Sequence, residues 1–329
     1  MVCLCVYALA FVVILICFRL LLERLTIAGL PGRPVLVTGC DHGFGHLLAL
    51  KLLSNGVPVF AGCLTEKGED SLKKASIGLE GKLETLPLDV TDEQSVENAL
   101  QLVKSKTTGL WGIVNNAGVL GPIAPDDWTT VEDYRKVLDV NTLGVIRVTH
   151  KFKPLVKKRQ GRIVVVASAM GRVATQSMGP YGVSKFAVEA YCDTLRLEMN
   201  QFNVTVHILE PGLFKTGLLD TNVLKIAMQS RWDALSDEVK GEYGQEYCAQ
   251  ALQSTAESLK YASENVDLVV NAYYHALTSW FPRRRYWVGP DSMFFFVPFS
   301  LLPTCIQDLF FRLMGKLAKI PVPKACEHL

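Results

Sequence analysis

Val35-Leu36-Val37-Thr38-Gly39-Cys40-Asp41-His42-Gly43-Phe44-Gly45 is the stretch that decides the fold. A short apolar run meets three closely spaced glycines, and from Phe44 to Leu53 apolar residues recur at helical spacing. The order is strand, tight turn, helix. Val57 to Ala61 and Leu83 to Leu88 read as the next strands, with Glu69 to Ala75 as the helix between them. Gly112 to Val114, Arg162 to Ala167 and Val204 to Leu209 follow, each after a helical segment such as Val96 to Val103 or Tyr134 to Leu155. Most of these strands carry apolar residues at successive rather than alternate positions, which means burial on both faces. That pattern belongs to the parallel sheet of a doubly wound, Rossmann-type α/β fold. A single domain is expected over residues 33–290, starting where Pro31-Gly32-Arg33-Pro34 breaks any preceding helix.

Outside the domain the ends are apolar. Val2 to Phe18 carries no charge, and Leu20, Leu21 and Leu22 extend the run past Arg19, close to the ~20 residues a bilayer-spanning helix needs. Basic residues follow this run instead of preceding it, so residues 1–24 read as a retained membrane anchor and not as a cleaved leader. Arg19, Arg24 and Arg33 would keep the domain on the cytosolic face. In the 291–329 tail, Met293 to Cys305 is apolar but broken by Pro298 and Pro303, which leaves membrane-surface and core readings open. Leu218 to Ala276 is more polar and helical and is the expected substrate cover, residues 218–276. Arg283-Arg284-Arg285 reads as a solvated rim on an edge strand. Asn203-Val204-Thr205 matches a glycosylation sequon, but its place at the entrance to an apolar strand predicts burial.

Composition narrows the function. Lys and Arg total 34 against 32 Asp and Glu, intermixed along the chain, so there is no basic field of the kind that binds nucleic acid. The nine cysteines are scattered, three of them (Cys3, Cys5, Cys17) in the apolar N-terminus, and no CxxC or Cys/His cluster has metal-ligand spacing. No metal and no disulfide framework are expected.

The chemistry lies where strands end. Glycines at 39, 43 and 45 allow a tight turn, close approach to a pyrophosphate, and helix N–H groups aimed at its charge, so Thr38, Gly39, Asp41, His42, Gly43, Phe44 and Gly45 form the expected cofactor turn. At the end of the second strand, Cys63 and Leu64 stand where a carboxylate would hold the ribose of NAD or an arginine the phosphate of NADP. The lack of an arginine there favours NAD and leaves NADP open, and Glu66 reads as a solvated helix-start carboxylate rather than as the ribose ligand. Asp89, with Val90, ends the third strand and could take a hydrogen bond from adenine or cap the next helix. Asn116, Ala117 and Gly118 follow the fourth, where small residues let a cofactor lie flat. Tyr181 and Lys185 are four apart, so they share a helix face, and the ammonium should draw the phenol's titration toward neutrality. Ser168 could then hold the substrate oxygen beside Tyr181, Asn141 could hold a water linking Lys185 to solvent, and Thr216, beyond Pro211-Gly212, could bond a nicotinamide carboxamide.

Taken together, TGxxxGxG at Thr38 to Gly45, NNAG at Asn115 to Gly118, Ser168, YxxxK at Tyr181 to Lys185 and PG at Pro211-Gly212 resemble a short-chain dehydrogenase/reductase over residues 33 to 290. The resemblance implies Asn141, Ser168, Tyr181 and Lys185 as catalytic tetrad. It also implies a homodimer through the Tyr134 and Tyr181 helices. CLTEKG at Cys63 to Gly68, EPGLFKT at Glu210 to Thr216 and HALTSWFPRRRYWVGPDSMFFFVPFSLLP at His275 to Pro303 are similar to the branch of microsomal retinol dehydrogenases and 17β-, 3α- and type 2 11β-hydroxysteroid dehydrogenases. The implied substrate is a retinoid or steroid alcohol, at the endoplasmic reticulum membrane. A 3-hydroxybutyrate-type dehydrogenase and a catalytically idle lipid-binding member are the alternatives. Ala167 before Ser168, where serine is more usual, and His42, in place of a common serine, depart from the pattern.

Overall fold

Strands buried on both faces need helices above and below them, and the chain supplies these from the crossovers. The computed structural model describes residues 2–217, 221–317 and 321–326. Seven strands, β1 (Val35–Thr38), β2 (Val59–Cys63), β3 (Leu83–Pro87), β4 (Gly112–Asn115), β5 (Arg162–Val166), β6 (Thr205–Pro211) and β7 (Arg285–Val288), form one sheet in the order β3-β2-β1-β4-β5-β6-β7. All six pairings are parallel. The order reverses between β1 and β4, which opens a crevice at their carboxyl ends.

Helices α2 (Gly43–Ser54), α3 (Glu66–Ala75) and α11 (Asp267–Thr278) cover one face, with Leu48, Leu52, Leu72, Val269 and Leu277 fully buried against Val35, Val37 and Val164. The other face takes α4 (Glu93–Lys106), α6 (Val145–Arg159) and α7 (Gly179–Met199), whose Val96, Phe152 and Val188 pack on Leu36, Ile113 and Ile163. Of the segment expected as the cover, only α8 (Thr221–Asp233), α9 (Asp237–Tyr243) and α10 (Gln245–Leu259) stand off the sheet. Its expected start at Leu218 lies outside the described residues, and its last part, α11, belongs to the sheet layer because Val269, Val270, Tyr273, Ala276 and Leu277 form an apolar stripe against it.

α11 ends at the amino edge of the sheet, where Arg162 donates to the carbonyls of Ala276 (2.7 Å) and Ser279 (2.6 Å) and Trp111 Nε1 donates to Leu277 O at 2.8 Å. A cation at a helix C-terminus is the favourable arrangement. The N-terminal helix α1 (Val2–Glu23) docks beside this point: the Glu23 carbonyl accepts from His275 Nε2 and Ser279 Oγ, and Arg283 grips the Glu23 carboxylate. Phe11, Ile14, Phe18 and Leu21 of α1 are exposed. Among the described residues no helix is long and apolar enough to cross a membrane.

Two expectations about the surface change here. Asn203 is exposed, in a left-handed turn (φ 54) before β6, and burial begins only at Val204. Nor is Arg285 a solvated rim, because it reaches inward to Glu189, Glu210 and Asp193.

Phe152 is fully buried between α6 and the sheet. Phe152→Ala is expected to cost about 3–5 kcal/mol, read as a lowered urea midpoint.

Candidate active site

Above their last paired residues β1 and β4 diverge, and polar side chains tie the two turns together. Thr38 Oγ1 accepts from the backbone N–H groups of Asn116 and Ala117, both at 3.0 Å. Asn116 Nδ2 returns to the carbonyls of Thr38 (3.0 Å) and Gly39 (3.1 Å), and Asn116 Oδ1 accepts from Tyr273 of α11 at 3.0 Å. The turn needs glycine: Gly39 and Gly43 are left-handed (φ 68 and 66), and a Cβ on Gly45 would stand 2.4 Å from Asn116 Nδ2 and from Gly39 O.

Nothing lies within 4 Å of where a Gly43 Cβ would sit, and His42 provides no side-chain cap to α2, so the first N–H groups of the helix face open space. That space fits a pyrophosphate. It belongs to a cavity of about 1210 Å³ lined by Gly39, Asp41, His42, Gly43 and Phe44, by Asp89 and Val90, by Asn116, Ala117 and Gly118, and by Pro211, Gly212 and Thr216. Thr38, Gly45 and Cys63 do not line it: the first two hold the turn together from behind. Cys63 faces the core, where burial pushes its thiol up to about 12.

Asp41 takes the corner expected of a residue at the end of β2. It accepts from the N–H groups of Leu64 and Thr65 (both 2.9 Å) and from the Thr65 hydroxyl at 2.7 Å. Burial works against its charge, but these three donors outweigh burial and hold the carboxyl below its ordinary range. Asp89 accepts from Thr91 N and Oγ1, and the capping role considered for it falls to Asp92, which caps α4 through Gln94 N and Ser95 N.

At the cavity's centre Ser168, Tyr181 and Lys185 all line the wall. Ser168 is buried just beyond β5, its hydroxyl accepting from Met170 N at 3.1 Å. Lys185 is buried, donates to Val166 O at 3.1 Å and sits 5.4 Å from the Tyr181 ring centre. Burial brings its amine down to about 8, opposed by Glu189 and Cys192. The phenol of Tyr181 differs from expectation: burial pushes it up, against the Ser168 hydroxyl. The ammonium does not offset burial because it is turned toward the Val166 carbonyl. Asn141 does not reach the cavity; in a π-helical turn (Asp139–Gly144) it bonds both backbone groups of Val119 at 2.8 Å and donates to Ser184 at 3.0 Å. It thereby fixes the strand-end loop against α7.

The cavity also has apolar walls, among them Met170, Met178, Met228, Tyr243, Tyr247, Pro321 and Pro323. Trp128 packs on Trp232, Tyr243 and Tyr247 with ring centres 5.2 to 5.6 Å apart, and Arg231 of α8 pairs with Asp133, so a small aromatic core joins the cover to the segment after β4. Sequence reasoning missed Tyr273 and Ser184, whose partners are 157 and 43 residues away. It also missed Glu189, although four residues after Lys185 is the next position on the same face.

Gly45→Ala is expected to lose about 1–3 kcal/mol in a denaturant titration and to weaken dinucleotide binding in a fluorescence titration, because the methyl group must displace the Asn116 amide.

The comparisons agree with this geometry. A family model described as short chain dehydrogenase matches residues 33–226. A 3beta-hydroxysteroid dehydrogenase of Caenorhabditis elegans is 45% identical over 314 residues, covering 91% of this chain and 81% of that protein. Retinol dehydrogenase 7 of Rattus norvegicus is 43% identical over 92% of this chain and 95% of its own, and human 17-beta-hydroxysteroid dehydrogenase type 6 is 44% identical over 87% and 90%. A solved short-chain dehydrogenase from Streptomyces avermitilis superposes with a TM-score of 0.67 at 22% identity, covering 87% of this chain and 98% of that one, which speaks to the fold alone. With the family model spanning more than half of the chain and several relatives above 40% identity along most of it, the chain belongs to the short chain dehydrogenase family.

Proposed function

We propose that this protein interconverts a lipophilic alcohol, a retinol or a hydroxysteroid, and its carbonyl by hydride transfer with NAD(P), in the cavity at the carboxyl edge of the sheet. The observation that carries the proposal is the cavity itself, which is lined in common by a glycine turn fit for a dinucleotide, by an apolar roof, and by Ser168, Tyr181 and Lys185. The relatives named as retinol and hydroxysteroid dehydrogenases support the substrate class. Gly39, Gly43, Asp89, Asn116, Pro211, Gly212 and Thr216 would hold the dinucleotide, which when bound supplies the hydride acceptor or donor. Ser168 and Tyr181 hold the substrate oxygen, Tyr181 Oη takes or gives the hydroxyl proton, and the Lys185 ammonium supports the phenolate. Met170, Met178 and Met228 let the roof follow a flexible chain or a rigid ring system alike.

The carboxylate of Asp41, held ionised beside Leu64 and Thr65, favours NAD over NADP by repelling a ribose phosphate. Apolar residues exposed along α1 support a membrane anchor there, and with it residence at the endoplasmic reticulum membrane with the domain cytosolic. Exposed Leu301, Leu309 and Leu313 support contact of the tail with the membrane surface, and exposed Val183 and Phe186 on α7 support a homodimer. A small hydroxy acid is less well served, because Lys185 is the one Lys or Arg among the described residues lining the cavity.

The test is a panel of all-trans and 9-cis retinols and 3α-, 11β- and 17β-hydroxysteroids with NAD and NADP. One lipophilic alcohol should be turned over with a higher kcat/KM for NAD, and Tyr181→Phe should lower kcat by about 10²–10⁴-fold with dinucleotide binding intact. Dinucleotide binding without turnover of any alcohol would leave a lipid-binding protein. A preference for NADP would remove the role given to Asp41.

A further inference from the structure

Behind the tyrosine and lysine, α7 continues the same face with a group the reaction above does not use. Glu189 is one turn beyond Lys185 and nearly fully buried. One of its carboxylate oxygens pairs with Arg285 of β7, and the other, Oε1, is buried with no hydrogen-bond partner. Arg285 also donates to Glu210 at 2.7 Å and to Asp193 at 2.6 Å, and Arg172 holds Glu210 with two bonds of 2.9 and 3.0 Å. Glu210 is fully buried and directly precedes Pro211-Gly212 at the cavity floor. Arg196 pairs with Asp193 from its outer side, so with Lys185 counted four cations face three carboxylates, and Lys185 is the one cation of the four with no carboxylate bonded to it.

Packing ties this cluster to the reacting groups. Gly171, in the turn that follows Ser168, lies so close that a Cβ there would stand 2.9 Å from Glu189 Cγ and 3.0 Å from Lys185 O. A salt-bridge cluster serving only to pin β7 to α7 would not need a buried carboxylate oxygen left unbonded, since such an oxygen is costly.

We propose that Glu189 is a positioning residue for the reaction: from one turn behind, its carboxylate is the counter-charge that keeps the buried Lys185 protonated while Tyr181 gives up its proton. The inference rests on the alcohol–carbonyl reading above. Burial pushes Glu189 up to about 7, reinforced by Glu210 and opposed by Arg285 and Arg172, while burial brings Lys185 down to about 8 against the pull of Glu189 and Cys192. Burial thus shifts the carboxyl and the amine toward one another. Asp193, on the far side of Arg285, is partly exposed and screened.

Glu189→Gln keeps the shape and removes the charge. In carbonyl reduction Tyr181 stays protonated well above neutral pH, so the fall of kcat with rising pH reports loss of the Lys185 proton. That fall should move about one pH unit lower in Glu189→Gln, with KM unchanged, and return toward the wild-type position in Glu189→Asp. A second readout needs no substrate or cofactor. A buried lysine whose folded value is depressed makes stability rise with pH between its folded and unfolded values, so thermal stability should climb from about pH 8 in the wild type and from a lower pH in Glu189→Gln. Should Glu189→Gln fail to fold, Glu189→Asp carries the same readouts with a smaller shift. A loss of kcat equal at all pH values, or an alkaline rise in stability that starts at the same pH in both proteins, overturns the inference; the fall in stability that the raised Glu189 carboxyl itself gives at lower pH disappears in Glu189→Gln in either case. Wild-type protein that turns over no carbonyl overturns the reading beneath it while the stability curve still decides the role of Glu189.

Discussion

The side-chain amide of Asn116 bridges a gap that strand pairing cannot. β1 and β4 separate at the point where the strand order reverses, and parallel strands have no hydrogen bonds to spare there. By giving both amide hydrogens to the turn after β1 and taking one from Tyr273, Asn116 holds the crevice at a fixed width. The rest of the site follows from that width. The glycine turn is close enough to exclude a Cβ at position 45, the N-terminus of α2 is aimed across the opening, and Ser168 and Lys185 approach from β5 and α7 on its other side.

Burial then sets the chemistry. It raises the phenol and lowers the amine, so each group is held closer to its neutral form than it would be in water. A tyrosine kept protonated suits donation to a carbonyl, whereas alcohol oxidation must draw on a positive charge placed nearby. The amide and hydroxyl bonds around Asn141 and Ser184 do no proton chemistry, but they fix the loop after β4 against the helix that carries both groups.

Most of the sheet could be read from the sequence because its signals are local. Runs of successive apolar residues marked β1, β2, β4 and β5, and the fourfold spacing of Tyr181 and Lys185 placed them on one helical face without any knowledge of tertiary structure. What failed depended on distant partners. The triplet Arg283 to Arg285 carries an exposed-rim composition, and only the approach of α7 and β6 turns Arg285 inward. Cys63 was one residue too early, because strand alternation points it into the core and brings Leu64 and Thr65 to the cavity. α11 follows the cover after the short turn segment 260–266, and its apolar stripe marks it as part of the sheet layer.

The aromatic cluster that joins the cover to Ala124 and Trp128 shares no residue with the two cores that clamp the sheet. Its packing energy is therefore local. Substitutions at Met228, Tyr243 or Tyr247 reshape the roof without drawing on the stability that holds the dinucleotide turn and the reacting groups. A lineage carrying this architecture can exchange one lipophilic alcohol for another by drift in a separable module, while the hydride chemistry beneath it is inherited unchanged.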